Sequence, residues 1–274
     1  MEYSLGTVSP VAMAGMVFSL IIAIGVPVAL CVAAKRRLGA KMSALVTGAS
    51  VFAVFVLGLE SLMHRAVLGS ALGTTITENV WLYAAYGGLA AAVFEEFGRL
   101  FAMKLCMKRT LTRENAIMYG VGHGGLEAVL IVGLAYISNI ATAIMINSGA
   151  LAGQLAVLDA VTAEATVKQL AALWETAPGD FFLAGVERLS AITLHICLSY
   201  FVYRAVRYGE KRYFALALVL HFAVDAVTVI ITNYLSVYVL EAGLVIAMAA
   251  LAVYAVRLYR AEGADEVPAD ACAE

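Results

Sequence analysis

Charge is scarce in this chain. Asp, Glu, Lys and Arg make up 14% of its 274 residues, where an ordinary soluble domain carries about 25%. Proline occurs only four times, so little breaks a long helix. The four cysteines (Cys31, Cys106, Cys197 and Cys272) form no CxxC pair and no disulfide framework. No stretch shows the strict apolar–polar alternation of a half-buried strand. The net charge of −2 gives no sign of a nucleic-acid partner, and none is expected.

Apolar residues are abundant instead. They make up 63% of the chain, and the mean hydropathy is +0.90. A membrane span needs about 20 mostly apolar residues. Seven runs qualify, at 8–34, 43–63, 79–104, 114–138, 180–204, 213–232 and 236–257. The expected fold class is therefore all-α, a polytopic bundle of about seven transmembrane helices, with residues 1–260 as one domain. The first run has no basic residue before it and is followed by KRR, so it reads as a span and not as a cleaved signal peptide.

The basic residues orient the bundle. Lys35, Arg36, Arg37 and Lys41 follow the first run. Lys104, Lys108, Arg109 and Arg113 separate the third and fourth. Arg204, Arg207, Lys211 and Arg212 separate the fifth and sixth, and Arg257 and Arg260 end the seventh. With seven spans, fourteen of the eighteen basic residues fall on one side, which makes that side cytoplasmic. The N-terminus is then outside and the C-terminus inside.

Local signals mark the helix starts. Ser9-Pro10 suits the first turn of the first helix, Thr75 and Glu78 form a capping box before the third, and Thr112 can cap the fourth. Residues 148–178 read as an amphipathic helix on the outer surface, with Leu151, Leu155 and Leu158 on one face. Residues 261–274 read as a disordered acidic tail.

An ionisable group at the centre of a span costs on the order of 3 kcal/mol on insertion scales, so such groups seldom face lipid. This chain has many: Glu95, Glu96 and Arg99 in the third run, His123 and Glu127 in the fourth, Glu187, Arg188 and His195 in the fifth, His221 and Asp225 in the sixth. Counted from the basic clusters at 1.5 Å per residue, His123, His195, His221 and Glu96 all lie roughly 12–18 Å deep. Four helices thus bring a polar group to one layer. Glu127 and Asp225 follow their histidines by four residues and share their faces. Glu96 is the stronger catalytic candidate of the paired glutamates, since Arg99 or a histidine could hold it. Glu187 and Arg188 read as a supporting pair. Glu60, His64 and Arg65 read as interfacial. Glycines at 120, 122, 124 and 125 allow close helix approach or leave room for a substrate backbone beside His123.

EEFGR (95–99), YGVGH (119–123) and HFAVD (221–225) resemble the motifs of the CAAX-protease and bacteriocin-processing superfamily of intramembrane peptidases. GHGGLEA and ERLSAITLHI (187–196) are most similar to its YhfC family. The resemblance implies an intramembrane endopeptidase. Glu95 or Glu96 would be the base that polarises a water. His123 and His221 would bind a metal or orient the water, and Asp225 would assist the oxyanion. Arg99 is one residue closer to the glutamates than in the commonest superfamily pattern. His195, from depth alone, would complete a three-histidine metal site, and Glu127, four residues after His123 on the same face, would be a further metal ligand.

Zinc or another divalent metal fits three nitrogen donors and a water. Without a metal, a buried glutamate would act as the base alone. The substrate would be a transmembrane, lipid-anchored or hydrophobic peptide, with membrane lipids as the surroundings and a site in the cytoplasmic half of the cell membrane. The alternative is a transporter or proton relay built on the same Glu, His and Asp cluster.

Overall fold

The computed structural model describes residues 5–265, and every regular element among them is helical. In chain order these are α1 (Pro10–Arg37), α2 (Met42–Leu68), α3 (Ala71–Thr77), α4 (Val80–Phe101, continued by Ala102–Cys106), α5 (Arg113–Asn147), α6 (Ala150–Leu155), α7 (Ala160–Leu170), α8 (Ala172–Glu175), α9 (Pro178–Arg207), α10 (Lys211–Tyr234) and α11 (Val237–Asp265). Six of them, α1, α2, α5, α9, α10 and α11, are long and apolar enough to cross a membrane. The remaining run, 79–104, is helical as α4, but its Glu95, Glu96 and Arg99 lower its hydropathy. Of the expected tail, 261–265 continue α11, and the rest lies outside the described residues.

Three stretches widen into π-helix: Phe52–Glu60 within α2, Ala102–Cys106 after α4, and Val129–Gly133 within α5. Such turns are rare and are frequent at functional sites.

The caps follow side-chain chemistry. Ser9 Oγ accepts from Ala12 N at 3.1 Å and Thr112 Oγ1 from Asn115 N at 3.2 Å. The start of α4 differs from expectation. Asn79 Oδ1 caps it, accepting from Trp81 N and Leu82 N at 3.0 and 3.1 Å. Thr75 instead lies inside the separate helix α3, and Glu78 closes it.

The chain divides into two compact units, one of residues up to Val26 and Glu127–Leu189, the other of Pro27–Leu126 and 190 onward. In the first, Val8, Met16, Ile146, Leu151, Leu155, Leu173 and Phe181 form a buried core. Asn147 ties it together by bonding both the N–H and the carbonyl of Val8 at 2.9 Å. Segment 148–178 is not one helix but α6, α7 and α8. Gly149 adopts φ 77° before α6, and Asp159 caps α7 by accepting from Thr162 N at 3.0 Å. Leu151 and Leu155 point into the protein core, while Leu158 stays exposed.

The second unit is built by close helix approach. A Cβ on Gly48 of α2 would overlap the carbonyl oxygen of Tyr119 in α5, and one on Gly122 would overlap that of Leu45. A Cβ on Gly120 would fall 2.6 Å from Ile196 Cα of α9, and one on Gly88 of α4 2.8 Å from Phe222 O of α10. Any side chain at these places would push the helices apart. The glycines around His123 are thus taken up by neighbouring helices, which accounts for them without substrate room. Asn115 fixes one end, accepting from Lys41 N at 2.8 Å and donating to Thr110 O at 2.6 Å. Tyr119, Met103, Met118, Leu198 and Phe201 fill the core.

Candidate active site

The glycine contacts bring four helices of the second unit around one point. Helix α4 supplies Glu95, Glu96 and Arg99, α5 supplies His123, α9 supplies His195, and α10 supplies His221 and Asp225. All but Asp225 are buried. The groups expected to share a layer do meet.

Glu95 lies among the three histidines. Its Oε2 is 2.7 Å from His123 Nε2 and 3.7 Å from His195 Nδ1, and its Oε1 is 3.8 Å from His221 Nε2. The rings pack on one another, His123 to His195 at 4.9 Å and His195 to His221 at 5.5 Å between centroids. Phe52 sets its edge against His123 at 5.2 Å, and Tyr119 stacks on it at 6.0 Å.

Glu96 is held on several sides. Arg99 Nη1 donates to its two oxygens at 2.9 and 3.1 Å, and His221 Nδ1 lies 2.8 Å from Oε1. Since the carboxylate accepts, the imidazole carries its proton on Nδ1. Nε2 of His221 faces Glu95 Oε1 at 3.8 Å and Asp225 Oδ2 at 3.6 Å. A carboxylate behind a histidine in this way fixes the tautomer and orientation of metal-binding imidazoles. Arg99 Nη2 is also 3.1 Å from His195 Nδ1, which must accept because a guanidinium only donates. Arg99 therefore pairs with Glu96 at i+3, not with Glu95 at i+4.

Glu127, Glu187 and Arg188 form their own cluster within the first unit. Arg188 Nη1 donates to Glu127 Oε1 at 2.9 Å, while its Nε and Nη2 grip the two oxygens of Glu187. This is the two-pronged geometry that a guanidinium favours.

One residue escaped the sequence reading. Glu60, expected at an interface, is buried, with Oε1 3.2 Å from His64 Nε2. It ends the π-helical stretch of α2, where 3.6 residues per turn no longer predicts the face a residue takes. A carboxylate closing the apolar run FAVFVLGLE with a histidine four residues on was the available signal.

The donor set suits a metal ion. Ligand atoms of Glu95, His123 and His195 lie within 4.8 Å of one another, and all three residues are buried. Nδ1 of His123 is buried without a hydrogen-bond partner. Imidazole nitrogens are donors of catalytic zinc sites, and a carboxylate beside them serves as a ligand or as the base for the bound water, so these residues fit such an ion.

Comparison with known proteins agrees. The family model described as YhfC intramembrane metalloprotease matches residues 20–255. The chain is 34% identical over 250 residues to a Bacillus subtilis (strain 168) protein described as an uncharacterized membrane protein, YhfC, covering 90% of this chain and 96% of that protein. No solved structure matches the chain. The match takes in all four helices that surround Glu95, and this multi-pass integral membrane protein belongs to the YhfC family of intramembrane metalloproteases.

Proposed function

We propose that the chain hydrolyses peptide bonds in a transmembrane or other hydrophobic peptide, with Glu95 handling the proton of the attacking water. The observation that carries this reading is the buried meeting of Glu95, His123 and His195 from three helices. The family description favours hydrolysis over the transporter alternative.

His123 and His195 would hold a divalent ion, and His221, packed on His195 at 5.5 Å between ring centroids, is the neighbouring imidazole that would join them. Such an ion, zinc or another, lowers the pKa of a water to about 7 and polarises the scissile carbonyl. Glu95 takes the proton at the oxygen facing His221, because His123 Nε2 already engages the other at 2.7 Å. Glu95 then passes that proton to the leaving nitrogen as the C–N bond breaks. Glu96 was the stronger candidate by sequence. Arg99 and His221 occupy its oxygens, which supports a positioning role behind His221. Asp225, whose side chain keeps 35% exposure, marks the open edge of the cluster. Glu127, Glu187 and Arg188 serve as an ionic clamp within their own unit.

Seven spans, with α4 as the seventh and the basic clusters cytoplasmic, remain the topology that the positive-inside rule supports. Peptide bonds in an intact helix are guarded by their hydrogen bonds, so substrates with locally unwound segments are favoured.

The test is cleavage of a pool of transmembrane peptides in liposomes holding the purified protein, with products read by mass spectrometry. Wild type should release fragments and Glu95→Gln none. Equal cleavage by both would exclude Glu95 as the proton carrier.

A further inference from the structure

Glu60 is a buried acid with no part in the mechanism above. Its residue is 6% exposed. Oε1 meets His64 Nε2 at 3.2 Å, and His64 Nδ1 lies 2.7 Å from the Tyr86 hydroxyl. The other oxygen, Oε2, is buried with no hydrogen-bond partner. His64 keeps 33% of its side chain exposed. A connected line of exchangeable groups therefore runs from a half-exposed histidine to an unpartnered carboxyl oxygen. The π-helical stretch that Glu60 closes packs against α4, the helix that carries Glu95: a Cβ on Gly98 would fall 2.8 Å from the Phe55 ring.

A plain structural ion pair does not account for this arrangement. Leaving a buried polar atom unpaired costs about 1–3 kcal/mol. The residue also closes a π-helical stretch, a distortion frequent at functional sites. An unpaired acid of this kind, on a helix packed against α4 and bonded to a partly exposed histidine, can take up and hand on a proton.

Hydrolysis inside lipid creates a need for such a group. Water gives one proton to Glu95, which delivers it to the amine. The second proton stays on the new carboxyl group. Release of product as a carboxylate requires that this proton leave the apolar interior, where an isolated charge is costly.

We infer that Glu60, His64 and Tyr86 form a proton relay between the hydrolytic site and the protein surface. Glu60, protonated on Oε1 at rest, takes the proton of the product acid on Oε2 and gives its Oε1 proton to His64 Nε2. His64, one-third exposed, releases its Nδ1 proton to surface water beside the Tyr86 hydroxyl, whose own hydrogen goes to Met63 Sδ. The product leaves as a carboxylate, one proton reaches the surface, and rotation of the Glu60 carboxyl and of the His64 imidazole resets the relay. This inference rests on the hydrolytic reading of the site.

The experiment combines cleavage of the liposomal peptide pool with infrared spectroscopy of the same proteoliposomes. Glu60→Gln should lower kcat about a hundredfold, the lower end of the range for a lost proton-transfer group, with KM and metal content unchanged, and Glu60→Asp should restore part of it. In the infrared, a protonated-carboxyl band of wild type should be missing from Glu60→Gln. Its hydrogen–deuterium exchange should be at least about tenfold slower in His64→Phe. Wild-type kcat in Glu60→Gln, or unchanged exchange in His64→Phe, overturns the relay alone. A wild type that cleaves no peptide overturns the hydrolytic reading, and the relay with it.

Discussion

Glu96 and His221 meet across two helices at 2.8 Å, and that contact turns the far nitrogen of the same ring toward Glu95 and Asp225. The paired glutamates of α4 thus have different surroundings. One lies among the histidines, and the other stands behind one of them.

A first prediction concerns that support. Glu96→Gln should weaken metal binding by about 10–100-fold, the usual effect of losing a carboxylate behind a ligand histidine. Competition against a chromogenic chelator measures it. Unchanged affinity would detach Glu96 from the metal centre.

Arg99 supplies a second test. It is fully buried and donates to Glu96 and His195. Arg99→Met would leave Glu96 ionised, buried and half-paired, a change that costs about 3–5 kcal/mol when one partner of a buried pair is removed. Thermal unfolding in detergent should show a large loss of stability. The double variant Arg99→Met with Glu96→Leu should recover much of it, because the stranded charge is gone.

The close helix approach can be tested at glycines. Gly48→Val and Gly122→Val would each drive a side chain into a neighbouring backbone carbonyl and should cost about 1–3 kcal/mol or more. Gly87 has nothing within 4 Å of its would-be Cβ, so Gly87→Ala is the control, with little change in thermal stability.

Glu210, in the turn between α9 and α10, makes a pH prediction. Desolvation acts to raise its pKa, but hydrogen bonds and charge from Arg204 and Arg212, at 2.8–2.9 Å, outweigh it and hold the carboxyl below its ordinary value of 4.5. A lowered folded pKa gives stability that is complete above the unfolded value and is lost as pH falls through the folded one. Acid titration of thermal stability should therefore fall less steeply below pH 4.5 in Glu210→Gln than in wild type.

Much of this was legible in the sequence because lipid makes every buried charge costly. The depths of His123, His195, His221 and Glu96 brought them to one layer, and in the structure they meet. The order of importance within Glu95 and Glu96 was not legible. Adjacent residues on a helix point about 100° apart, and spacing alone does not say which one meets the histidines. Glu127 shares a helix face with His123 by spacing, yet its carboxylate is held by Arg188, a partner sixty-one residues away in sequence. Glu60 was hidden by the π-helical turns before it, and the three-helix break of 148–178 by Gly149 and the Asp159 cap.

The most direct test of the account is metal content per chain. Protein purified in detergent without chelators would be analysed by mass spectrometry as wild type, His123→Ala, His195→Ala and Glu95→Gln. The account predicts about one divalent ion per wild-type chain, as in a single catalytic site. Both histidine variants should lose it, and Glu95→Gln should keep it without cleaving peptide. A wild type free of metal, or histidine variants that retain it, would contradict the metal centre. Loss of the ion in Glu95→Gln would make Glu95 a ligand and contradict its role as the carrier of the proton.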